Sequence, residues 1–72
     1  MKKKFEMEDL DCAVCAAKME DAIKKIEGVE DCSVNFLMQK MTLVAEESEF
    51  PRILEEAQKA VSKVDKACKI LY

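Results

Sequence analysis

The sequence contains no histidine and no tryptophan, and it has only one glycine and one proline. Without histidine, a c-type haem attachment motif is excluded. The scarcity of glycine and proline, together with 50% hydrophobic and 38% charged residues, is typical of a compact chain rich in regular elements. We therefore expect residues 1–72 to form a single small domain, near the lower size limit for folding on hydrophobic burial alone.

Long apolar runs are also missing, which excludes direct membrane insertion. The only basic run, Lys2 to Lys4, is followed by Phe5-Glu6-Met7 rather than by the apolar stretch of a signal peptide. Twelve basic against fifteen acidic residues give a net charge of -3, which does not resemble a nucleic-acid surface. A catalytic cleft between domains needs a longer chain. We expect a non-catalytic, cytoplasmic domain without a nucleic-acid partner.

Hydrophobic periodicity divides the chain into six elements. Apolar residues alternate with polar ones in the predicted strands, and they recur at three- and four-residue steps in the predicted helices. Gly28 stands where the first helix should stop, and Pro51 suits the first turn of the second. The elements are a strand over 3–8, a helix over 14–27, strands over 31–36 and 41–45, a helix from 51 to 64 and a strand over 67–72.

The order strand, helix, strand, strand, helix, strand predicts an α+β fold of the ferredoxin-like type. In this βαββαβ sandwich, a four-stranded antiparallel sheet carries two helices on one face. One layer of helices on one sheet suffices to bury both helical stripes.

The chemistry of the sequence is concentrated in a C-x-x-C motif, Cys12 to Cys15, between the first strand and the first helix. Two thiols three residues apart at a helix start can face one ion. The exposed N–H groups and the positive end of the helix dipole favour thiolate there. We therefore expect both cysteines to be ready metal ligands near neutral pH.

Other uses of the cysteines are less consistent with this sequence. Two-disulfide scaffolds belong to secreted domains with little core, which this chain does not resemble. With one C-x-x-C and no histidine, spacing alone does not provide a closed four-ligand zinc site. A thioredoxin-like dithiol remains an alternative, although the chain is short for that fold.

Asp11, directly before the first thiol, bears on the choice of metal. A carboxylate adds a hard oxygen donor and a third negative charge, which favours a divalent ion. Zn(II) accepts sulfur and oxygen together, whereas Cu(I) is satisfied by thiolates and gains little from a carboxylate. The predicted site is Asp11, Cys12 and Cys15, holding Zn(II) or Cd(II), with Pb(II) as a further candidate and Cu(I) as the alternative. In a competing interpretation, Asp11 only caps the helix.

The segment from Leu10 to Glu20, followed by Gly28-Val29 and the run Ser33 to Phe36, resembles the heavy-metal-associated domain of soft-metal P-type ATPases and metallochaperones. It is most similar to the N-terminal domain of zinc/cadmium/lead-transporting ATPases, whose motif carries Asp before the first Cys. The resemblance implies metal binding by the two cysteines with the aspartate as an added ligand. It also implies that Leu10 packs under the loop where copper-type domains have Met, and that Asp9 replaces a common Gly.

The remaining candidates have simpler interpretations. Cys32 and Cys68 fall on the inward phase of their strands and are predicted to be small buried hydrophobes. Cys68 stays a weaker candidate ligand, because the link before the last strand lies near the metal loop in the family. Lys66, in that link, could compensate the charge of the site. Of the methionines, Met7, Met19 and Met41 match core positions and only Met38 falls in a turn.

The partners implied by the resemblance are a metal ion and the transmembrane and cytosolic parts of a P-type ATPase. We expect a monomer, with metal-bridged dimers at high concentration. A free-standing metallochaperone and a small dithiol redox protein are the alternatives.

Overall fold

Strands and helices follow the predicted order along residues 1–10 and 12–72, the part of the chain that the computed structural model describes. Asp11, a predicted ligand, lies outside the described residues. In the described part, no helix is long and apolar enough to cross a membrane. The elements are β1 (Lys2–Glu8), α1 (Ala13–Lys24), β2 (Val29–Asn35), β3 (Lys40–Ala45), a 3-10 turn (Glu47–Glu49), α2 (Phe50–Val64) and β4 (Lys69–Leu71).

The four strands form one antiparallel sheet in the order β2-β3-β1-β4. β1 and β3 lie in the centre of the sheet. In the register, Leu43 of β3 lies opposite Lys3 of β1 on one side and opposite Cys32 of β2 on the other. The β2–β3 pairing shifts between Val29 and Asp31, which is a bulge on an edge strand. The predicted ferredoxin-like sandwich is confirmed.

The core lies between the sheet and the two helices. Each strand contributes alternate residues, and the two helices contribute apolar stripes. The predicted roles of the methionines are confirmed, because Met7, Met19 and Met41 are buried. Met38 is exposed in the turn after β2. The largest fully buried side chains are Leu10, Met19, Ile23, Met41, Leu43, Ile53, Val61 and Cys68.

The first helix is shorter than its periodicity predicted. It ends at Lys24 rather than at Glu27, because the N–H of Lys25 bonds to Ala22 O at 3.3 Å and that of Ile26 bonds to Ile23 O at 3.0 Å. These tighter turns place Ile26 three residues after Ile23, and Ile26 still packs against the core. Its spacing in the sequence is therefore the same as that of a longer α-helix. Gly28, with φ of +98°, closes the turn as predicted.

The hairpin between β2 and β3 also differs from the prediction. Phe36 belongs to the turn rather than to the strand, although its ring still packs against the core. The side-chain oxygen of Asn35 accepts hydrogen bonds from Leu37 N at 3.0 Å and Met38 N at 3.2 Å, which ends the strand there. Gln39 completes the turn with φ of 55°. At the other end, β4 is limited to three residues of the predicted segment 67–72.

Candidate metal centre

The loop between β1 and α1 is anchored by Leu10, whose side chain is 1% exposed. This burial confirms that Leu10 packs under the loop. Asp9, just before it, has φ of 57°, a left-handed conformation that favours glycine. Aspartate tolerates this region better than most side chains, so the loop keeps the turn that glycine usually supplies.

Cys12 is the N-cap of α1. Its backbone is extended, its carbonyl accepts the first helical bond from Ala16 N at 2.9 Å, and its Sγ accepts from Cys15 N at 3.3 Å. The sulfur thus satisfies an N–H that the helix leaves without an internal partner. Cys12 and Cys15 are both half-buried, and Val14 between them is exposed. The predicted placement of both thiols at one helix start is confirmed.

The groups around Cys15 disfavour its thiolate form in the metal-free protein and so oppose the effect expected from the helix start. The pKa of Cys15 is raised, chiefly by its side-chain hydrogen bond with Cys12, and further by desolvation and by the negative charge of Cys12. Two neighbouring thiolates repel each other, so the charge of Cys12 makes ionisation of Cys15 less favourable. A metal ion at this pair would bind the thiolate forms and would compete with protons for them.

Two charged side chains act on the thiol pair from different elements. Lys18, three residues after Cys15 on α1, lowers the pKa of Cys15, whereas Asp65 at the end of α2 raises it. For Lys66 the sequence is consistent with either a solvated side chain or compensation of the charge of the site. Lys66 is exposed, and the lysine that acts on Cys15 is Lys18. The three-residue spacing between Cys15 and Lys18 on a helix is the sequence pattern that indicates this interaction.

The other two cysteines lie in the core. Cys32 is 2% exposed and Cys68 is 0% exposed, which confirms the prediction that both pack as buried hydrophobes. Burial raises the pKa of the Cys32 thiol to about 12, with a further contribution from the charge of Glu20. All four cysteines are present as thiols.

No group of three Cys, Asp or Glu side chains within residues 1–10 and 12–72 is arranged to hold a metal ion. The described part of the candidate site therefore consists of two thiols, those of Cys12 and Cys15, brought together at the start of α1. Asp11, the third predicted ligand, lies outside the described part of the chain. Two thiolates alone suit a soft ion, and an added carboxylate suits Zn(II).

Gln39, which no pattern in the sequence indicates, also contacts the loop that carries Cys12. Its side chain crosses from the hairpin turn to the metal loop, where Oε1 accepts from Leu10 N at 2.9 Å and Nε2 donates to Leu10 O. Nε2 also donates to Phe36 O at 2.8 Å, within the turn. No local pattern indicates this contact, because Leu10 and Gln39 are 29 residues apart.

A ferredoxin-like sandwich with a thiol pair at the start of its first helix defines a class of small metal-binding domains. The heavy-metal-associated domain model matches residues 4–67, and the chain belongs to this family. Heavy-metal-associated domains are non-catalytic metal-binding modules.

Relatives of this chain include transporters of different metals. It is 32% identical over 65 residues to the cadmium, zinc and cobalt-transporting ATPase of Bacillus subtilis, an alignment covering 90% of this chain and 9% of the ATPase. It is 36% identical over 53 residues to the probable copper-transporting ATPase PacS of Synechocystis sp., covering 74% of this chain and 7% of that protein. The chain thus spans less than a tenth of the length of these relatives.

A solved structure of a similar domain has the same fold. The Cu(I)-loaded N-terminal domain of a potential copper-translocating P-type ATPase from Bacillus subtilis superposes with a TM-score of 0.72 at 31% identity. The match covers 96% of this chain and 84% of that domain.

Proposed function

We propose that this chain binds one Zn(II) or Cd(II) ion, with Pb(II) as a further candidate, through Cys12, Cys15 and Asp11. It acts in the cytosol, delivering the ion to a heavy-metal-exporting P-type ATPase or regulating that ATPase. We further propose that the chain is the N-terminal part of this transporter. The observation that carries the proposal is the half-buried thiol pair at the start of α1, with Cys15 N directed at Cys12 Sγ.

The charge of the site supports a divalent ion. Two thiolates and the carboxylate of Asp11 carry three negative charges. A bound divalent ion leaves one of these charges uncompensated, whereas Cu(I) leaves two. Asp65 adds a further negative charge whose field reaches Cys15. An accumulation of negative charge is best compensated by the more highly charged ion.

The cadmium, zinc and cobalt-transporting relative supports the same choice, and it matches most of this chain. The copper transporters among the similar proteins favour a second candidate, a Cu(I)-binding domain or free-standing copper metallochaperone. Such a domain would use the same two cysteines without the carboxylate.

Competition titrations of the parent and Asp11→Asn test the choice of metal. Asparagine keeps the shape and the helix-capping ability of aspartate, so the variant removes mainly the charge and the strong oxygen donor. We expect Asp11→Asn to weaken Zn(II) and Cd(II) binding by about 10- to 100-fold and to change Cu(I) affinity little. Equal affinities of parent and variant for Zn(II) and Cd(II) would remove the carboxylate from the proposed ligand set.

The encoding reading frame tests the proposed transporter. A frame that continues past Tyr72 into membrane-spanning segments supports the N-terminal position in an ATPase. A stop codon directly after Tyr72 supports a free-standing chaperone instead.

The redox alternative has its own test. A dithiol oxidoreductase would reduce or oxidise protein substrates through a Cys12–Cys15 disulfide and would take up no metal under reducing conditions. We expect the opposite result, with one Cd(II) ion bound per chain in the presence of reductant and no turnover of disulfide substrates.

A further inference from the structure

The main chain of Leu10 lies beyond the regular sheet and needs partners from elsewhere. The β1–β3 pairing ends at Glu6 and Lys40, followed by a single bond from Met7 N to Gln39 O at 2.8 Å. Asp9 then turns the chain out of the strand. Because the Leu10 side chain is buried, its N–H and C=O lie close to the core, where polar groups without partners are costly.

Gln39 supplies both partners with one side chain. Its amide accepts from Leu10 N at 2.9 Å and donates to Leu10 O, which is the pair of bonds that a neighbouring strand would make. The additional bond from Nε2 to Phe36 O at 2.8 Å fixes which end of the amide carries the nitrogen. The side chain therefore extends the β1–β3 ladder into the metal loop.

We propose that Gln39 is a positioning residue of the metal site. It holds the main chain of Leu10, two residues before Cys12, in place in the metal-free protein. This inference rests on the proposed function, metal binding at Cys12 and Cys15. A loop held in its bound geometry has less freedom to lose on binding, and this preorganisation raises affinity.

An amide is the side-chain group that fits this position. A carboxylate cannot donate to the two carbonyl oxygens, and an apolar side chain of the same length makes none of the three bonds. Asparagine carries the same amide on a side chain that is one methylene shorter. It also suits the left-handed backbone of this residue, which has φ of 55°.

Gln58 provides a matched control in the same protein. Its Oε1 accepts from Ile70 N at 2.8 Å and its Nε2 donates to Cys68 O at 3.4 Å, so it holds β4 as Gln39 holds the metal loop. Both glutamines can be changed to methionine, which keeps the length and removes the hydrogen bonds. The comparison separates an effect on the metal site from a general loss of stability.

The experiment measures Cd(II) affinity by chelator competition under reducing conditions, together with amide hydrogen exchange of Leu10 in the metal-free protein. We expect Gln39→Met to remove all three bonds and to weaken Cd(II) binding about tenfold, because the metal-free chain then has more freedom to lose on binding. Exchange at Leu10 should become faster. Gln58→Met should lower the unfolding temperature and leave Cd(II) affinity within about twofold of the parent. If Gln39→Met does not fold, Gln39→Asn is measured in its place, with the same expected losses.

The outcomes separate the two proposals. If the parent takes up no metal through Cys12 and Cys15, the proposed function fails. If the parent binds Cd(II) and the folded Gln39 variant binds it equally tightly, the positioning role is refuted. Equal losses of affinity in the Gln39 and Gln58 variants would also refute it, because they would indicate a general effect of stability.

Discussion

Cys12 and Cys15 lie half-buried at the start of α1, whereas Cys32 and Cys68 are 2% and 0% exposed in the core. The first pair shares a hydrogen bond between a sulfur and a backbone N–H at a helix end. Cys32, in contrast, is buried, and this burial is the main cause that raises its pKa to about 12. The chemistry available to a thiol in this protein is therefore set by its position in the fold, and the following predictions test that contrast.

The largest expected difference is in alkylation rate. In the folded, metal-free protein, we expect iodoacetamide to modify Cys32 and Cys68 at least about a thousandfold more slowly than Cys12. The buried thiols react only when the core opens, which costs several kcal/mol. Mass spectrometry of peptides after timed labelling measures the rates. Simultaneous labelling of all four thiols in the folded protein would contradict the contrast.

The second-largest expected difference between the two pairs of cysteines is the loss of metal affinity when a cysteine is replaced. Because loss of an outer-shell partner already costs about 10- to 100-fold, we expect Cys12→Ser or Cys15→Ser to weaken Cd(II) binding by more than about 100-fold. Cys32→Ala should leave affinity within about threefold. Chelator competition measures the affinities, and circular dichroism verifies that each variant is folded. A large loss in Cys32→Ala would show that the core cysteine also contributes to the site.

The buried thiol should make stability depend on alkaline pH. The pKa of Cys32 is raised from 9.0 to about 12, so its thiol is neutral in the folded state while an unfolded thiol ionises above pH 9.0. This contribution to stability is fully present below pH 9.0 and is lost as the pH rises towards 12. Relative to Cys32→Ala, the parent should lose up to about 1.4 kcal/mol of unfolding free energy per pH unit in this range. Parallel pH curves from denaturant unfolding would contradict this.

The smallest expected effect concerns Cys12 as a helix cap. Serine can replace the sulfur as an acceptor for Cys15 N–H, whereas alanine cannot. We expect Cys12→Ala to be about 1 kcal/mol less stable than Cys12→Ser in the metal-free protein. Urea unfolding measures the difference. Equal stability of the two variants would mean that the sulfur has no capping role.

Much of the fold followed from periodicity, because alternate residues of the strands and the stripes of the helices determine which side chains are buried. The end of α1 could not be predicted from periodicity, because Ile26 still packs against the core although the turns around it are no longer α-helical. The two cysteines of the site were predictable from their spacing and their position after β1. The role of Gln39 was not, because it arises from a contact between distant segments. The raised pKa of Cys15 was missed because the prediction considered the helix dipole and omitted the second thiol.

The bulge in β2 affects how copies of this chain can associate. β2 is an edge strand, and an open strand edge is a template for pairing with another molecule. The irregular pairing between Val29 and Asp31 and the exposed acids Glu30 and Asp31 make this edge a poor template. Pairing of two copies through the β2 edge is thereby disfavoured, so this side of the sheet resists aggregation.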